Sequence, residues 1–301
     1  MSRRTTIARS LETRGTGLHS GKRIRLRLEP AAPGAGLVFV RTDRDGVEIP
    51  ATVDHLADLA YATTVAAAGV SVGTVEHLLS AVAGLGIDDL RILVDAPEVP
   101  ALDGSARGFV SLLADAGRVR TPHARDVLRI LRSVSVRDGE RWMRIDPADR
   151  FEIRYTIDFD HPVIGHSERR FSGDARVYAR EIAPARTFCR VEDVPGLRRA
   201  GLAAGGSYDN AVVVGRDGLV NGPLRFPDEF VRHKILDLLG DLALLGAPVL
   251  GRVTAVRAGH ALHARLMTAL LEERGAWRVE PAVRVPTRVP AVASPAAVAP
   301  A

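Results

Sequence analysis

The 301-residue chain has little of several features that define particular protein classes. It has one cysteine, Cys189, which excludes an internal disulfide and a cysteine-based metal cluster, so any metal would need His, Asp or Glu ligands. It has no apolar run of the roughly 20 residues that a membrane-spanning helix requires. Its first residues carry arginines but lack the apolar core of a secretory signal. We therefore expect a cytoplasmic protein without an integral membrane segment.

Lysine is also scarce, since only Lys22 and Lys234 occur among 41 basic residues. Because the chain uses arginine almost everywhere else, lysine at these two positions indicates that a compact ammonium group is required there. The net charge of +5 lies in the two ends: residues 1–14 hold four arginines and one glutamate, and residues 281–301 add two arginines and no acid. The rest is formally neutral and lacks a basic stripe interleaved with aromatics, so we expect no nucleic-acid partner.

The predicted elements occur in an order that repeats along the chain, which indicates an α+β fold of two similar domains, residues 1–122 and 126–279. The first has strands, a helix with Thr74 as N-cap, a strand and a helix opened by Asp103-Gly104-Ser105. Residues 121–126 are interpreted as a linker, and the proline- and alanine-rich tail, 281–301, as disordered. Predicted elements of the second domain are strands at 127–136, 141–145, 151–159, 211–214 and 251–257, and helices at 228–245 and from 259.

The helix predicted at 228–245 has the most informative pattern, because apolar residues occupy nearly every face and predict burial. His233, Asp237 and Asp241 are spaced i, i+4 and i+8, so they form a stripe along one side. Buried ionisable groups need a compensating charge, which a divalent metal held by His233 and Asp237 would supply. The alternative interpretation is that the stripe is a solvated face.

The corresponding helix of the first domain begins with Thr74-Val75-Glu76-His77. His77 lies near the helix N-terminus, where the positive end of the helix dipole keeps the imidazole neutral, as a metal ligand must be. A site between the domains would then combine His77 with His233 and Asp237, a donor set that suits catalytic Zn²⁺ and also accepts Fe²⁺. Glu76 becomes a candidate base. His260, at the junction before the last helix, is a candidate acid or electrostatic partner, although a loop histidine is often a surface residue.

Eight sequence blocks, in order, make the chain closely resemble the UDP-3-O-acyl-N-acetylglucosamine deacetylase family, the zinc amidases of lipid A biosynthesis, over roughly residues 3–278. The resemblance implies two domains, each a β-α-α-β layered sandwich, with the zinc site between them. The matching blocks are TGLHSGK, TVEHLLSAVAGLGIDDL, APEVPALDGSA, TIDFDHP, ARTFC, GGSYDNAVVV, LRFPDEFVRHKILDLLGDLALLG and GHALH.

The resemblance also implies roles for individual residues in zinc-dependent hydrolysis of an acetamide, giving acetate and a free glucosamine. His77, His233 and Asp237 are the implied zinc ligands and Glu76 the general base. The other implied members of the catalytic machinery are His260 as general acid or oxyanion partner, Asp241 as the group that orients it, Thr187 at the oxyanion and Lys234.

Substrate contacts follow from the same resemblance, for an acylated UDP-sugar as the small-molecule partner. Lys234 would meet the diphosphate or the hexose, Phe159 the uracil, and Asp193 the nucleotide. Arg141 stands where the family often has lysine. The segment 188–207 resembles the insert that forms the acyl-chain passage. The remaining implied contacts are Leu18 and His19, from TGLHSGK, and Phe188.

Two alternatives accompany this interpretation. The first is a zinc amidase of the same architecture that acts on another N-acyl sugar nucleotide, for which the 3-O-acyl chain would be unnecessary. The second is a basic RNA-binding protein that keeps the scaffold without turnover, which predicts strongly salt-dependent RNA binding and no need for metal. We expect the enzyme to be a monomer.

Overall fold

The computed structural model describes residues 2–282. From position 283 onward, the predicted disordered tail lies outside the described residues. The elements of the first half are β1 (Arg3–Ile7), β2 (Leu11–Thr16), β3 (Arg23–Pro30), β4 (Leu37–Arg41), β5 (Val47–Pro50), β6 (Val65–Ala67), β7 (Val70–Val72), α1 (Glu76–Leu85), β8 (Leu90–Val94), α2 (Arg107–Ala116) and β9 (Arg118–Ala124).

The second half is longer and contains two short helices, of seven and six residues, between its main strands and helices. Its elements are β10 (Asp126–Ile130), β11 (Val134–Asp138), β12 (Arg141–Asp146), β13 (Glu152–Asp158), β14 (His166–Phe171), α3 (Ala175–Glu181), β15 (Phe188–Arg190), α4 (Val194–Arg199), β16 (Val212–Val214), α5 (Glu229–Leu242), β17 (Val249–Leu250), β18 (Arg252–Val256), α6 (His260–Glu272) and β19 (Trp277–Pro281).

Each half is built on a five-stranded sheet, and the two sheets have the same topology. The first has the order β2-β3-β8-β4-β5 and the second β11-β12-β18-β13-β14. In both sheets the central pair, β8 with β4 and β18 with β13, is parallel, and the other neighbours are antiparallel. Strand β3, RIRLRLEP, alternates arginine outward and apolar residues inward, as a sheet with one solvated face requires. This equivalence confirms the predicted α+β fold of two similar halves.

The helices lie between the two sheets. Helix α2 packs on α1 and α6 on α5, while α1 and α5 pack against each other where the halves meet. Their approach depends on Gly240, because a Cβ added there would lie 2.0 Å from the backbone oxygen of Glu76. Buried side chains surround both helices, as the continuous apolar pattern of α5 predicts. None of the helices among the described residues is long and apolar enough to span a membrane.

Three local predictions are wrong. Thr74 is not an N-cap: it has φ +54°, its hydroxyl donates to Glu98, and α1 begins at Glu76. The linker predicted at 121–126 is β-structure, since β9 pairs with β1 and β10 pairs with β17 and β19. Pro281, the predicted start of the tail, ends β19 and pairs with Asp126. In each case hydrogen bonds with distant parts of the chain outweigh a local signal.

Candidate active site

Three buried side chains from the two halves converge where α1 meets α5. His77 is the second residue of α1, and His233 and Asp237 lie one turn apart on α5. Asp237 Oδ1 lies 3.2 Å from His233 Nε2 and 3.7 Å from His77 Nε2. Two ligand atoms at opposite ends of a tetrahedral edge around zinc are about 3.3 Å apart, given bond lengths of about 2.0–2.1 Å. We refer to His77, His233 and Asp237 as the ligand cluster.

The hydrogen bonds of the ligand cluster leave its inward-facing atoms available for a cation. His233 Nδ1 lies 3.1 Å from the carbonyl oxygen of Ala185, to which it donates, so the Nε2 lone pair of the neutral ring points at Asp237. Asp237 Oδ2 accepts from Lys234 Nζ at 2.8 Å, whereas Oδ1 is buried without a hydrogen-bond partner among the described residues. Because an orphaned buried carboxylate oxygen is costly, these residues fit a divalent metal.

The electrostatics of the cluster favour the protonation states that ligands need. Burial, together with the neighbouring His233, lowers the pKa of His77 to about 3, and burial lowers the pKa of His233. Burial alone would raise the pKa of Asp237, but His233 and Lys234 outweigh it and the pKa is lowered. Both imidazoles are therefore neutral and the carboxylate is charged at neutral pH.

Glu76 lies next to the ligand cluster on the first turn of α1 and is buried. Its Oε2 accepts a hydrogen bond of 3.0 Å from the backbone N–H of Thr63. Burial, opposed by His260 and reinforced by Asp241 and Asp237, raises the pKa of Glu76 to about 7. A carboxyl group with such a pKa exchanges a proton readily at neutral pH, as a general base or acid requires.

A second buried group of histidines and a carboxylate lies one turn further along α5. Asp241 Oδ2 is 2.8 Å from His260 Nδ1 and 2.7 Å from His263 Nδ1, and Asp241 Oδ1 accepts from Thr63 Oγ1 at 2.7 Å. We refer to Asp241, His260, His263 and Thr63 as the Asp241 cluster. Because a carboxylate only accepts, each Nδ1 carries the shared hydrogen, and Nε2 of His260 is left for other chemistry.

The protonation of this cluster differs from that of the ligand cluster. Burial lowers the pKa of His260, but the charge of Asp241 and its hydrogen bond outweigh burial, and the pKa is raised to about 9. The pKa of Asp241 is lowered to about 2, since His260 outweighs the effect of burial. Burial lowers the pKa of His263. His260 is therefore an imidazolium at neutral pH and a hydrogen-bond donor.

A cleft of about 680 Å³ begins beside the ligand cluster. Phe188 lines it, and the ring of Phe188 lies 6.3 Å from that of His233 and 5.8 Å from that of Phe159. Leu18 and His19, on the loop between β2 and β3, also line the cleft. The remaining lining residues are mostly small or apolar and include Tyr61, Thr187, Cys189, Val191, Asp193, Val194, Leu197, Ala203, Tyr208 and Val213.

Comparison with known proteins identifies the family of the chain. The sequence profile of the UDP-3-O-acyl N-acetylglycosamine deacetylase family matches residues 4–272. The chain belongs to this family. Among relatives named UDP-3-O-acyl-N-acetylglucosamine deacetylase, those of Anaeromyxobacter sp. (strain Fw109-5) and Myxococcus xanthus (strain DK1622) are each 48% identical to it. The alignments cover 91% and 93% of this chain and 90% of each relative. A relative of that name from Nautilia profundicola is 43% identical over 91% of this chain and 93% of its own length.

In this deacetylase family member, the predicted site residues do not all lie together. The ligand cluster, Glu76, Asp241 and His260 form one buried group. Lys234 borders it, with its ammonium on Asp237 and 5.7 Å from the ring centre of Phe188. Thr187, Phe188, Asp193, Leu18 and His19 line the cleft. Arg141 is exposed at the start of β12. This is the same end of the sheet as the end of β13, which Phe159 follows.

The sequence analysis missed several residues that position side chains of the candidate active site. His263 follows His260 by three residues on α6, a spacing that predicts a shared helix face, so GHALH contained a usable signal. Glu98 is buried and accepts from the backbone N–H groups of His19 and Ser20, at 2.9 and 2.8 Å, which fixes the loop beside the cleft. Thr63 lies 13 residues before Glu76 in a loop, and nothing in the surrounding sequence indicates its contacts.

Proposed function

We propose that the chain hydrolyses the N-acetyl group of UDP-3-O-(3-hydroxyacyl)-N-acetylglucosamine to acetate and the free amine, an early committed step of lipid A biosynthesis. The proposal depends above all on the orphaned Oδ1 of Asp237, which faces two neutral imidazoles beside the buried carboxyl group of Glu76. Family membership and the names of the relatives support the choice of substrate. A cytoplasmic location and a monomeric state remain predictions.

The ligand cluster is proposed to bind Zn²⁺, since two neutral imidazoles and a carboxylate suit this ion; Fe²⁺ is accepted by the same donors. A cation bound there would supply Lewis acidity that polarises water and the amide carbonyl. The hydrogen bond from His233 to Ala185 and that from Lys234 to Asp237 hold two of the three donors in place.

Glu76 is proposed to accept the proton of the attacking water. Its burial keeps its carboxyl group weakly acidic, and the N–H of Thr63 holds the Oε2 atom. The proton taken up by Glu76 is then available for the nitrogen that leaves when the C–N bond breaks. This cycle returns Glu76 to its carboxylate form and releases acetate and the amine.

His260 and Thr187 are proposed to stabilise the negative charge that develops on the acetamide oxygen. His260 is an imidazolium whose Nδ1 is anchored to Asp241, so that Nε2 is its donor. His260 is also an alternative proton donor to the leaving amine. Thr187 lines the cleft. Lys234, whose ammonium lies 5.7 Å from the ring centre of Phe188, is proposed to contribute positive charge for the diphosphate or the hexose.

The cleft is proposed to hold the 3-O-acyl chain, because its lining is mostly apolar or small and its volume is about 680 Å³. Phe159, which packs edge-on against Phe188, is proposed to face the uracil. Arg141 and Asp193 are proposed to lie near the nucleotide. Leu18 and His19 contribute the wall formed by the first half.

The decisive experiment is acetate release from UDP-3-O-(3-hydroxyacyl)-N-acetylglucosamine by the purified protein, before and after chelation and zinc addition. We expect zinc-restored turnover that falls by about 10³-fold in Glu76→Gln, given the contribution of general base catalysis. Glu48→Gln is the matched control, because Glu48 is exposed in β5 and pairs with Arg91. Full activity of the metal-free protein would disprove the mechanism.

The same assay separates this substrate from the alternative without the acyl chain. UDP-N-acetylglucosamine has the acetamide and the nucleotide but cannot fill the cleft. We expect its kcat/KM to be lower by several orders of magnitude, since binding energy from remote parts of a substrate contributes to catalysis. Equal turnover of both substrates would favour an amidase for other N-acyl sugar nucleotides.

A further inference from the structure

Thr63 makes three contacts at the centre of the site although it lies on a loop before β6. Its side chain is buried. Its N–H donates to Glu76 Oε2 at 3.0 Å, its hydroxyl donates to Asp241 Oδ1 at 2.7 Å, and the same oxygen lies 3.0 Å from His260 Nδ1. One residue of the first half thus joins the carboxyl group on α1 to both groups of the second half.

The hydrogens of these contacts can be assigned from the donors available. The single hydroxyl hydrogen of Thr63 goes to Asp241, which can only accept. The lone pairs of Oγ1 are then free for the Nδ1–H of His260, which Asp241 Oδ2 also accepts. His260 Nδ1 therefore keeps its hydrogen in either charge state, and its Nε2 is the atom that gains or loses a proton.

We propose that Thr63 is a positioning residue, whose hydroxyl and N–H together fix the separation and orientation of Glu76 and His260 across the boundary between the halves. This inference rests on the proposed function, in which Glu76 and His260 act on the same acetamide. Misplacement by about 1 Å can cost about 100-fold in rate, so a direct link between the two groups has catalytic value.

Other groups around His260 set its charge, but they do not connect it to Glu76 in this way. Ionisable neighbours act from three packed helices: Glu76 and His77 on α1, Asp237, His233 and Asp241 on α5, and His263 on α6. Asp241 fixes the Nδ1 side of the ring within the second half. Thr63 is the neutral side chain that extends this arrangement to the first half.

The test compares Thr63→Val, which keeps the shape but removes the hydroxyl, with Thr63→Ser, which keeps the hydroxyl. Thr64→Val is the matched control at the next position. In the zinc-loaded full-length protein we expect kcat of Thr63→Val to fall by about 10- to 100-fold with KM within about twofold, and Thr63→Ser to stay within about threefold of wild type. Equal loss in the Val and Ser variants, or wild-type kcat in Thr63→Val, would overturn the proposal.

A second readout does not depend on turnover. In metal-free protein with ¹⁵N-labelled histidine, NMR titration reports the pKa of His260 directly. Thr63→Val removes an acceptor that favours the imidazolium, so we expect this pKa to fall by about half a unit or more, with Thr64→Val unchanged. An unchanged His260 titration in Thr63→Val contradicts the assigned contact. If wild type titrates as expected but releases no acetate, the proposed function fails while the Thr63 contact stands.

Discussion

The ligand cluster and the Asp241 cluster contain the same chemical groups in different roles. Each has two buried histidines and one aspartate, and both aspartates lie on α5, one turn apart. In the ligand cluster, Asp237 Oδ1 has no donor among the described residues and His233 donates its Nδ1–H away from Asp237. In the Asp241 cluster, His260, His263 and Thr63 all donate to the carboxylate. The direction of the histidine N–H bonds, rather than composition, distinguishes the proposed metal site from the hydrogen-bonded network.

The pKa of His260 shifts in the opposite direction to the pKa values of His77 and His233, whereas burial lowers the pKa of His263 although it also donates to Asp241. His77 and His233 have no carboxylate hydrogen bond that compensates for burial, and their pKa values are lowered. His260 is held by Asp241, and its pKa is raised to about 9. Under the proposed function, the ligand cluster therefore offers lone pairs to a cation, and the Asp241 cluster retains a proton for the substrate.

The largest expected effect comes from Asp237→Asn, which removes the charge of the ligand cluster but preserves its size. An uncharged amide binds a divalent cation more weakly, so we expect bound zinc to fall well below one per chain and kcat/KM to fall by about 10³-fold or more. Metal analysis after dialysis and acetate release measure both. Retention of one tightly bound zinc would show that Asp237 is not a ligand.

Asp241→Asn tests the other side of the comparison. We expect this variant to keep one zinc per chain and to lose about 100-fold in kcat/KM, because His260 loses both its orienting acceptor and the charge that stabilises its imidazolium. The assays are the same as for Asp237→Asn. Loss of zinc from Asp241→Asn would mean that the two clusters do not have separate roles.

Gly240→Ala tests the spacing of the helices that hold both clusters. The added Cβ would lie 2.0 Å from the oxygen of Glu76, so α1 must move away from α5. We expect kcat/KM to fall about tenfold or more and the free energy of unfolding to fall by about 1–3 kcal/mol. Urea unfolding gives the second quantity, and Gly196→Ala is the control, because an added Cβ there meets no atom within 4 Å. If Gly240→Ala changed neither kcat/KM nor the free energy of unfolding, α1 would have to adjust without disturbing Glu76.

The smallest effect is the pH dependence of the wild-type enzyme. Because the pKa of His260 is raised to about 9, the donor form is present below that pH and is lost as pH rises through it. We expect kcat/KM to decline above pH about 9, by about tenfold per pH unit. His260→Gln should lower activity and abolish this alkaline decline. A decline that persists unchanged in His260→Gln would assign it to another group.

The sequence predicted those parts of the site that repeat along one helix. The i, i+4, i+8 spacing placed His233, Asp237 and Asp241 on one side of α5, and the repeated element order predicted that Glu76 and His77 would face them. The apolar pattern of α5 predicted a buried helix but left open whether the stripe was a solvated face, and in the structure all three residues of the stripe are buried. The α+β fold of two similar halves followed from the same repetition.

Other features could not be predicted because they depend on contacts between distant segments. Thr74 has the composition of an N-cap, yet its hydroxyl binds Glu98, 24 residues away. The linker predicted at 121–126 pairs with β1, β17 and β19, which lie at opposite ends of the chain. Local propensity contains no information about such partners.

The sequence by itself determined the helix spacing, the buried faces and the set of residues able to bind a metal or move a proton. Only the tertiary structure decided which aspartate is available to the proposed cation and which holds an imidazolium, since that depends on where each N–H points. His233 donates to Ala185, whereas His260 donates to Asp241. Thr63 connects Asp241, which lies 178 residues away in sequence, to Glu76. Hydrogen-bond direction is a property of the packed molecule, because each donor finds its acceptor only in the folded chain: within the second half for His233 and His260, and across the two halves for the Thr63 hydroxyl.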